Sequence, residues 1–177
     1  MIIVNLYGAP GAGKSTGAAY VFSKLKMAGI NAELVTEFAK DKFWEESKAV
    51  FENQIYILGE QYFRISRLKD KVDVVVTDSP IVLSCFYGDE KQPARNELQA
   101  LVKEVHNSFE NYNAFIERVK PYNPNGRFQN EQESDSISQS LKLFIKDFDV
   151  NPKSYDGDIA GYDLLVSDII ELFKKGE

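Results

Sequence analysis

Residues 6–16 read LYGAPGAGKST, and this stretch decides how the rest of the chain is read. Gly8, Gly13, Lys14 and Ser15 match the spacing G-x-x-x-x-G-K-[ST]. In that motif a glycine-rich turn lets backbone N–H groups converge on phosphate oxygens. Both neighbours suit it. IIVNLY, residues 2–7, is apolar enough for a strand buried on both faces. Ala18, Val21, Phe22 and Leu25 recur at helical spacing after the loop, and Gly29 suits the end of that helix. The helix would aim its positive N-terminal end at the same phosphates. The segment therefore predicts a bound nucleoside triphosphate, ATP, with Mg²⁺. Gly8, Ala9, Pro10, Gly11, Ala12, Gly13, Lys14, Ser15 and Thr16 would surround the phosphates. Lys14 would contact the β and γ groups, and the Ser15 hydroxyl would ligate the metal.

Working outward, AELVTE at 32–37 predicts a second strand and VDVVVTD at 72–78 a third. NAFIERV at 113–119 predicts a fourth strand, and residues 154–156 a short fifth. Helical stripes separate them. Phe51, Ile55, Leu58, Tyr62 and Ile65 predict one long helix after the second strand. Leu98, Leu101, Val102, Val105 and Phe109 mark another. Ile137, Leu141, Phe144 and Phe148 mark a third, opened by a capping box at Asn130 and Glu133. Tyr162, Leu165, Val166, Ile169 and Phe173 mark the last. Strands alternating with helices predict an α/β fold, a three-layer α/β/α sandwich around a five-stranded parallel sheet. The 177 residues suffice for one domain, 1–177, with its own core.

Composition narrows the partners. Lys plus Arg number 21 and Asp plus Glu 27, a net charge of −6, which offers no general attraction to nucleic acid or an anionic membrane. The sequence shows neither a basic, apolar leader nor a long apolar run, so a cytoplasmic protein is expected, with no membrane partner. A homodimer is compatible with it. Cys85 is the single cysteine and His106 the single histidine. Together they leave too few ligands for a zinc site and no Ser–His–Asp set beside any motif.

Two acids complete a site. Asp78, after the third strand in TDSP, stands where phosphate-loop proteins place the acid that holds Mg²⁺ directly or through water. Glu37 ends the second strand. In an open parallel sheet it would share the rim with the loop and Asp78, where it could orient an acceptor hydroxyl and take its proton. A water-activating ATPase could use the same arrangement. The loop, VTE at the end of the second strand and DSP after the third resemble the P-loop nucleoside and nucleotide kinases. Within these, the chain looks similar to the deoxynucleoside kinase and nicotinamide riboside kinase-like groups and to small bacteriophage-type AAA or kinase-like ATPases. The resemblance implies Glu37 as catalytic base. Deoxynucleoside kinases usually carry an arginine directly after the third-strand acid; Ser79 stands there in this chain.

RVKPYNPNGRFQNEQE follows the fourth strand, and residues 118–133 predict a lid. Arg118 and Arg127 are its catalytic candidates and Lys120 a substrate contact, since cations over a transferring phosphoryl group stabilise its charge. The resemblance points to a basic lid in the same place. Gln54, Gln61 and Arg64 lie beside the apolar stripe of the predicted long helix, where carboxamides could read a base edge. Trp44 is an aromatic available for stacking, as are Phe38, Phe43, Phe86 and Tyr87. The expected activity is transfer of the γ-phosphate of ATP to a hydroxyl or phosphate of a nucleoside-type acceptor. That acceptor is a deoxynucleoside, a nucleotide or a hydroxymethylated pyrimidine. A hydroxymethylated base within DNA is the alternative acceptor, and acceptor-free ATP hydrolysis the alternative of another class. A GTPase would need an Asn-Lys-x-Asp-type guanine motif, which the sequence lacks.

Overall fold

The computed structural model describes residues 1–88, 94–124 and 129–176. Its strands are β1 (Ile2–Tyr7), β2 (Ala32–Val35), β3 (Val74–Thr77), β4 (Glu110–Glu117) and β5 (Lys153–Asp156). They form one sheet in the order β2-β3-β1-β4-β5, parallel at every pairing. The helices are α1 (Lys14–Met27), α2 (Phe38–Trp44), α3 (Lys48–Phe51), α4 (Gln54–Ser66), α5 (Leu83–Phe86), α6 (Arg95–Asn107), α7 (Glu131–Asp147) and α8 (Ile159–Gly176).

The alternation within β1 builds the layers. Ile2, Val4 and Leu6 face Val21 and Leu25 of α1 and Leu165 and Ile169 of α8. Ile3 and Tyr7 face Leu58 of α4, Val102 of α6 and Leu141 of α7. A strand apolar on both faces can only sit between two helical layers, so IIVNLY becomes the centre of a three-layer α/β/α sandwich. The chain builds β3 and β2 to one side of β1, then β4 and β5 to the other. The phosphate loop therefore leaves the sheet where the strand order reverses, beyond the carboxyl ends, where ligands of such sheets lie.

β4 begins earlier than predicted because Glu110, Asn111 and Tyr112 pair with Ile2, Ile3 and Val4. Its asparagines are tolerated there since the buried Asn5 amide donates to Asn111 Oδ1 at 2.9 Å and Asn113 Oδ1 at 3.0 Å.

The long helix predicted after β2 is in fact α2, α3 and α4. Glu46, at φ 56°, breaks the first junction. Asn53 opens α4 by accepting from Tyr56 N at 3.0 Å. The apolar stripe is also corrected. The buried face of α4 is Gln54, Ile57, Leu58, Gln61 and Ile65, while Ile55 and Tyr62 lie exposed. The two sets have nearly the same spacing, so periodicity cannot separate them. Hydrogen bonds by the buried glutamines let the polar set face inward.

The capping box at Asn130 and Glu133 forms as expected, with Asn130 Oδ1 accepting from Glu133 N at 2.9 Å and Glu133 accepting from Asn130 N at 2.7 Å. α7 therefore begins inside the predicted lid. His106 is buried on α6, and burial lowers its pKa. Among the described residues no helix is long and apolar enough to cross a membrane.

Candidate functional site

The phosphate loop curls between β1 and α1 through Gly8 at φ 146° and Gly13 at φ 107°. These are left-handed values that side-chain-bearing residues rarely adopt. Gly8 also has no room for a Cβ, which would lie 2.7 Å from the Ile116 carbonyl oxygen. The Lys14 ammonium folds back over the loop, donating to Gly8 O at 2.8 Å and Ala9 O at 3.2 Å. The loop's outer side is held by other elements. Ser134 of α7, fully buried, donates to Pro10 O at 2.7 Å. Tyr162 of α8 donates to Gly13 O at 3.0 Å.

Gly157, between β5 and α8, closes the same side, its N–H donating to Glu117 O at 2.8 Å. A Cβ on Gly157 would overlap the Ala12 carbonyl oxygen of the loop and lie 2.7 Å from Glu117 O. Both obstacles are backbone and cannot swing away. Gly157→Ala is expected to destabilise the fold by about 3 kcal/mol, the upper end for overpacking. A thermal melt should then fall by about 6–12 °C; an unchanged melting temperature would show that the loop moves aside freely.

Beside the loop lies a cleft of about 260 Å³ whose walls include Ser15 of α1, Glu37 at the end of β2, Lys40, Asp41 and Trp44 of α2, and Asp78 after β3. Three of the residues predicted from widely separated segments thus share one cavity. Asp78 is 4% exposed, and its Oδ1 accepts from Glu37 N at 3.1 Å, fastening the end of β2 to the end of β3. The Glu37 carboxyl is held above the ordinary carboxylate range. Burial is the main cause and the Asp78 charge adds to it, while Lys14 and Lys40 oppose it. Tyr87, at the end of α5, has its hydroxyl pushed up to about 12 by burial and by the Glu37 charge. That aromatic therefore stands within the field of Glu37.

The donor set fits Mg²⁺. The Asp78 carboxylate and the Ser15 hydroxyl line the same cleft, with Glu37 and Asp41 as its further carboxylates. Among the described residues no cluster of three or more His, Cys, Asp or Glu could hold a metal by itself. A cation content with one carboxylate, water and substrate phosphates is what such a sparse set can hold.

The remaining candidates are placed as follows. Gln61 does not face the cleft. It is 2% exposed, accepts from Phe38 N at 3.1 Å and donates to Thr77 Oγ1 at 3.4 Å, so it braces the start of α2 against β3. Gln54 is likewise buried, donating to Phe51 O at 3.1 Å. Arg64 pairs with Asp41 at 2.8 Å and lies over the Phe38 ring at 5.1 Å, supporting the cleft wall from outside. Trp44 is 67% exposed at the cleft, open for stacking. In the lid segment, Arg118 is bound by Glu131 at 2.6 Å and by Asp135, both on α7, and stacks over Tyr122. It anchors the base of the segment to a helix instead of hanging over the site. Lys120 is different: its ammonium lies 3.6 Å from where a Cβ on Gly13 would stand, directly at the loop. Arg127 lies outside the described residues.

Sequence reasoning passed over Lys40, Asp41, Ser134, Gly157 and Tyr162. Lys40 and Asp41 had a usable signal, standing one helical turn after Glu37. The others had none beyond a glycine in YDGDIAGY, because their partner, the loop, is more than a hundred residues away in sequence.

A family model described as an AAA domain matches residues 3–153. The chain belongs to that AAA-domain family. No curated protein matches the sequence. Among solved structures, deoxyadenosine kinase from M. mycoides with bound dATP is similar at a TM-score of 0.64 and 17% identity. The similarity covers 94% of this chain and 98% of that one. The AAA-domain protein thus has a P-loop fold of the nucleoside and nucleotide kinase-like kind, as its phosphate loop and strand-end acids led one to expect.

Proposed function

We propose that this AAA-domain protein is a phosphotransferase that moves the γ-phosphate of ATP to a hydroxyl of a nucleoside-type acceptor. One observation carries the reading: Ser15, Glu37 and Asp78 line a single cleft beside the phosphate loop, and the Glu37 carboxyl there has a raised proton affinity. A base is useful only against a protonated nucleophile. A phosphate acceptor is largely ionised near neutral pH and needs none, so a tuned Glu37 favours a hydroxyl acceptor over a phosphate. Deoxyadenosine kinase, one of the similar structures, supports a nucleoside-type acceptor.

In this reading the loop holds the triphosphate, and Lys14 shifts from the Gly8 and Ala9 carbonyls to the β and γ oxygens. Ser15 and Asp78 would hold Mg²⁺, which when bound neutralises charge on those oxygens. Glu37 orients the acceptor hydroxyl and takes its proton as the new P–O bond forms. Trp44 and Tyr87 offer rings for the base, and Lys120 adds positive charge at the loop. The test is a screen with γ-labelled ATP over nucleosides, nucleotides and hydroxymethylated DNA. Label should pass to one nucleoside class. Rapid release of phosphate with no acceptor, and no label on any of them, would instead make the chain an ATP hydrolase, as the AAA description admits. Label on hydroxymethylated DNA alone would move the acceptor into a polymer, against the net charge of −6.

A further inference from the structure

The loop carries two tethers on its outer side, and they share a geometry. Ser134 Oγ donates to the Pro10 carbonyl and Tyr162 Oη to the Gly13 carbonyl. Neither residue belongs to the motif or to an element next to it in sequence. Each carbonyl belongs to a trans peptide, since no described peptide bond is cis. In a planar trans peptide the C=O and the N–H point in opposite directions. Holding the Pro10 oxygen toward α7 therefore turns the Gly11 N–H away from α7. Holding the Gly13 oxygen toward α8 turns the Lys14 N–H away from α8. A phosphate loop works through such N–H groups, and their aim is normally left to the loop's own glycines.

Both tethers are built into the packing. Ser134 is fully buried, on a helix turn whose neighbours Glu131 and Asp135 bind Arg118. The Tyr162 ring is seated against Gly17, where a Cβ would lie 2.6 Å from Cε1. Gly17 lies in the first turn of α1, and the ring seated on it leaves no room there for a side chain. The Gly13 oxygen also accepts the first α1 bond, from Gly17 N at 2.8 Å, so two donors, one from α1 and one from α8, set its direction together.

We infer that Ser134 and Tyr162 are positioning residues for triphosphate binding, which aim the Gly11 and Lys14 N–H groups by holding the opposite ends of their peptides from α7 and α8. The inference rests on the loop being a triphosphate site, and does not require any acceptor.

The test is equilibrium binding of Mg²⁺–ATP, without acceptor, to the wild type, Ser134→Ala, Tyr162→Phe and the double variant. Tyr162→Phe keeps the ring on Gly17 and removes only the donor. Each single change should raise Kd about three- to ten-fold, the value of one hydrogen bond. Tyr20→Phe is the control. It removes the Tyr20–Asp163 hydrogen bond of 2.7 Å, which also joins α1 to α8 but does not touch the loop. A purely structural role would make Tyr20→Phe and Tyr162→Phe lower the melting temperature alike and leave both Kd values unchanged. Positioning predicts a raised Kd for Tyr162→Phe alone of that pair, at comparable melting temperatures. Unchanged affinity in both Ser134→Ala and Tyr162→Phe overturns the inference while leaving the phosphate loop intact. Absence of binding by the wild type overturns the triphosphate reading beneath it. Wild-type binding without transfer to any acceptor sinks only the kinase assignment.

Discussion

Lys14→Ala should reduce phosphoryl transfer at least about 10³-fold, the scale on which a single cation at a transferring phosphoryl group acts. The fold should survive. Lys14 makes no part of either core cluster; its ammonium bonds the Gly8 and Ala9 carbonyls on the surface of the loop. Those carbonyls lose that donor in a part-buried setting, so the stability loss should be about 1–2 kcal/mol, or roughly 2–8 °C in a melt. Transfer assays and thermal melts on the same preparation check both halves. A variant that retains transfer within ten-fold would remove Lys14 from the chemistry, and one that unfolds would make it structural.

Glu37→Gln should cost about 10²–10⁴-fold in transfer, the range of general base catalysis, and leave Mg²⁺–ATP affinity near that of the wild type. It should also be more stable than the wild type at neutral pH. The sign follows from the raised pKa of Glu37, caused mainly by burial. A carboxyl whose pKa is higher folded than unfolded binds protons more tightly in the native state. Its charge therefore destabilises the fold at pH above the folded value, and that cost disappears as pH falls below the ordinary carboxylate range. The melting curves of wild type and Glu37→Gln should diverge as pH rises and meet as it falls. Activity runs the other way: transfer by the wild type should decline as pH drops through the raised pKa, earlier than for an exposed carboxylate. A glutamine variant that is less stable at every pH would mean the carboxylate is held by contacts that outweigh its burial. Ablated activity with unchanged stability would keep the base role and discard only the linkage.

Much of this architecture was legible because local chemistry and global fold agree. IIVNLY is apolar on both faces, which is possible only for a central strand. The loop needs glycine at three left-handed positions and has it at Gly8, Gly11 and Gly13. Strand ends in a parallel sheet share a rim, so topology alone brings Glu37 and Asp78 together. The capping box at Asn130 and Glu133 is a contact across three residues and is read directly.

The glutamines were not legible. Gln54 and Gln61 lie on a helix whose two candidate faces have the same period, and which face turns inward depends on Phe38 N and Thr77 Oγ1 being there to satisfy Gln61. Arg118 looked like a lid arginine because it is basic and follows a strand. Its engagement by Glu131 and Asp135 depends on where α7 lands. Lys120 lies only two residues further on, yet it is the one whose ammonium stands at Gly13.

The sequence by itself determined the α/β/α fold, the phosphate loop and the acids that share its rim, because these depend on periodicity, glycine conformation and strand direction, all of which act over a few residues. Tertiary structure alone decided which polar groups brace the site and which face it. Ser134 and Tyr162 reach the loop from α7 and α8 across 124 and 149 residues of chain. A hydrogen bond of that span leaves no pattern in the sequence, since its geometry exists only once the helices have packed against the sheet.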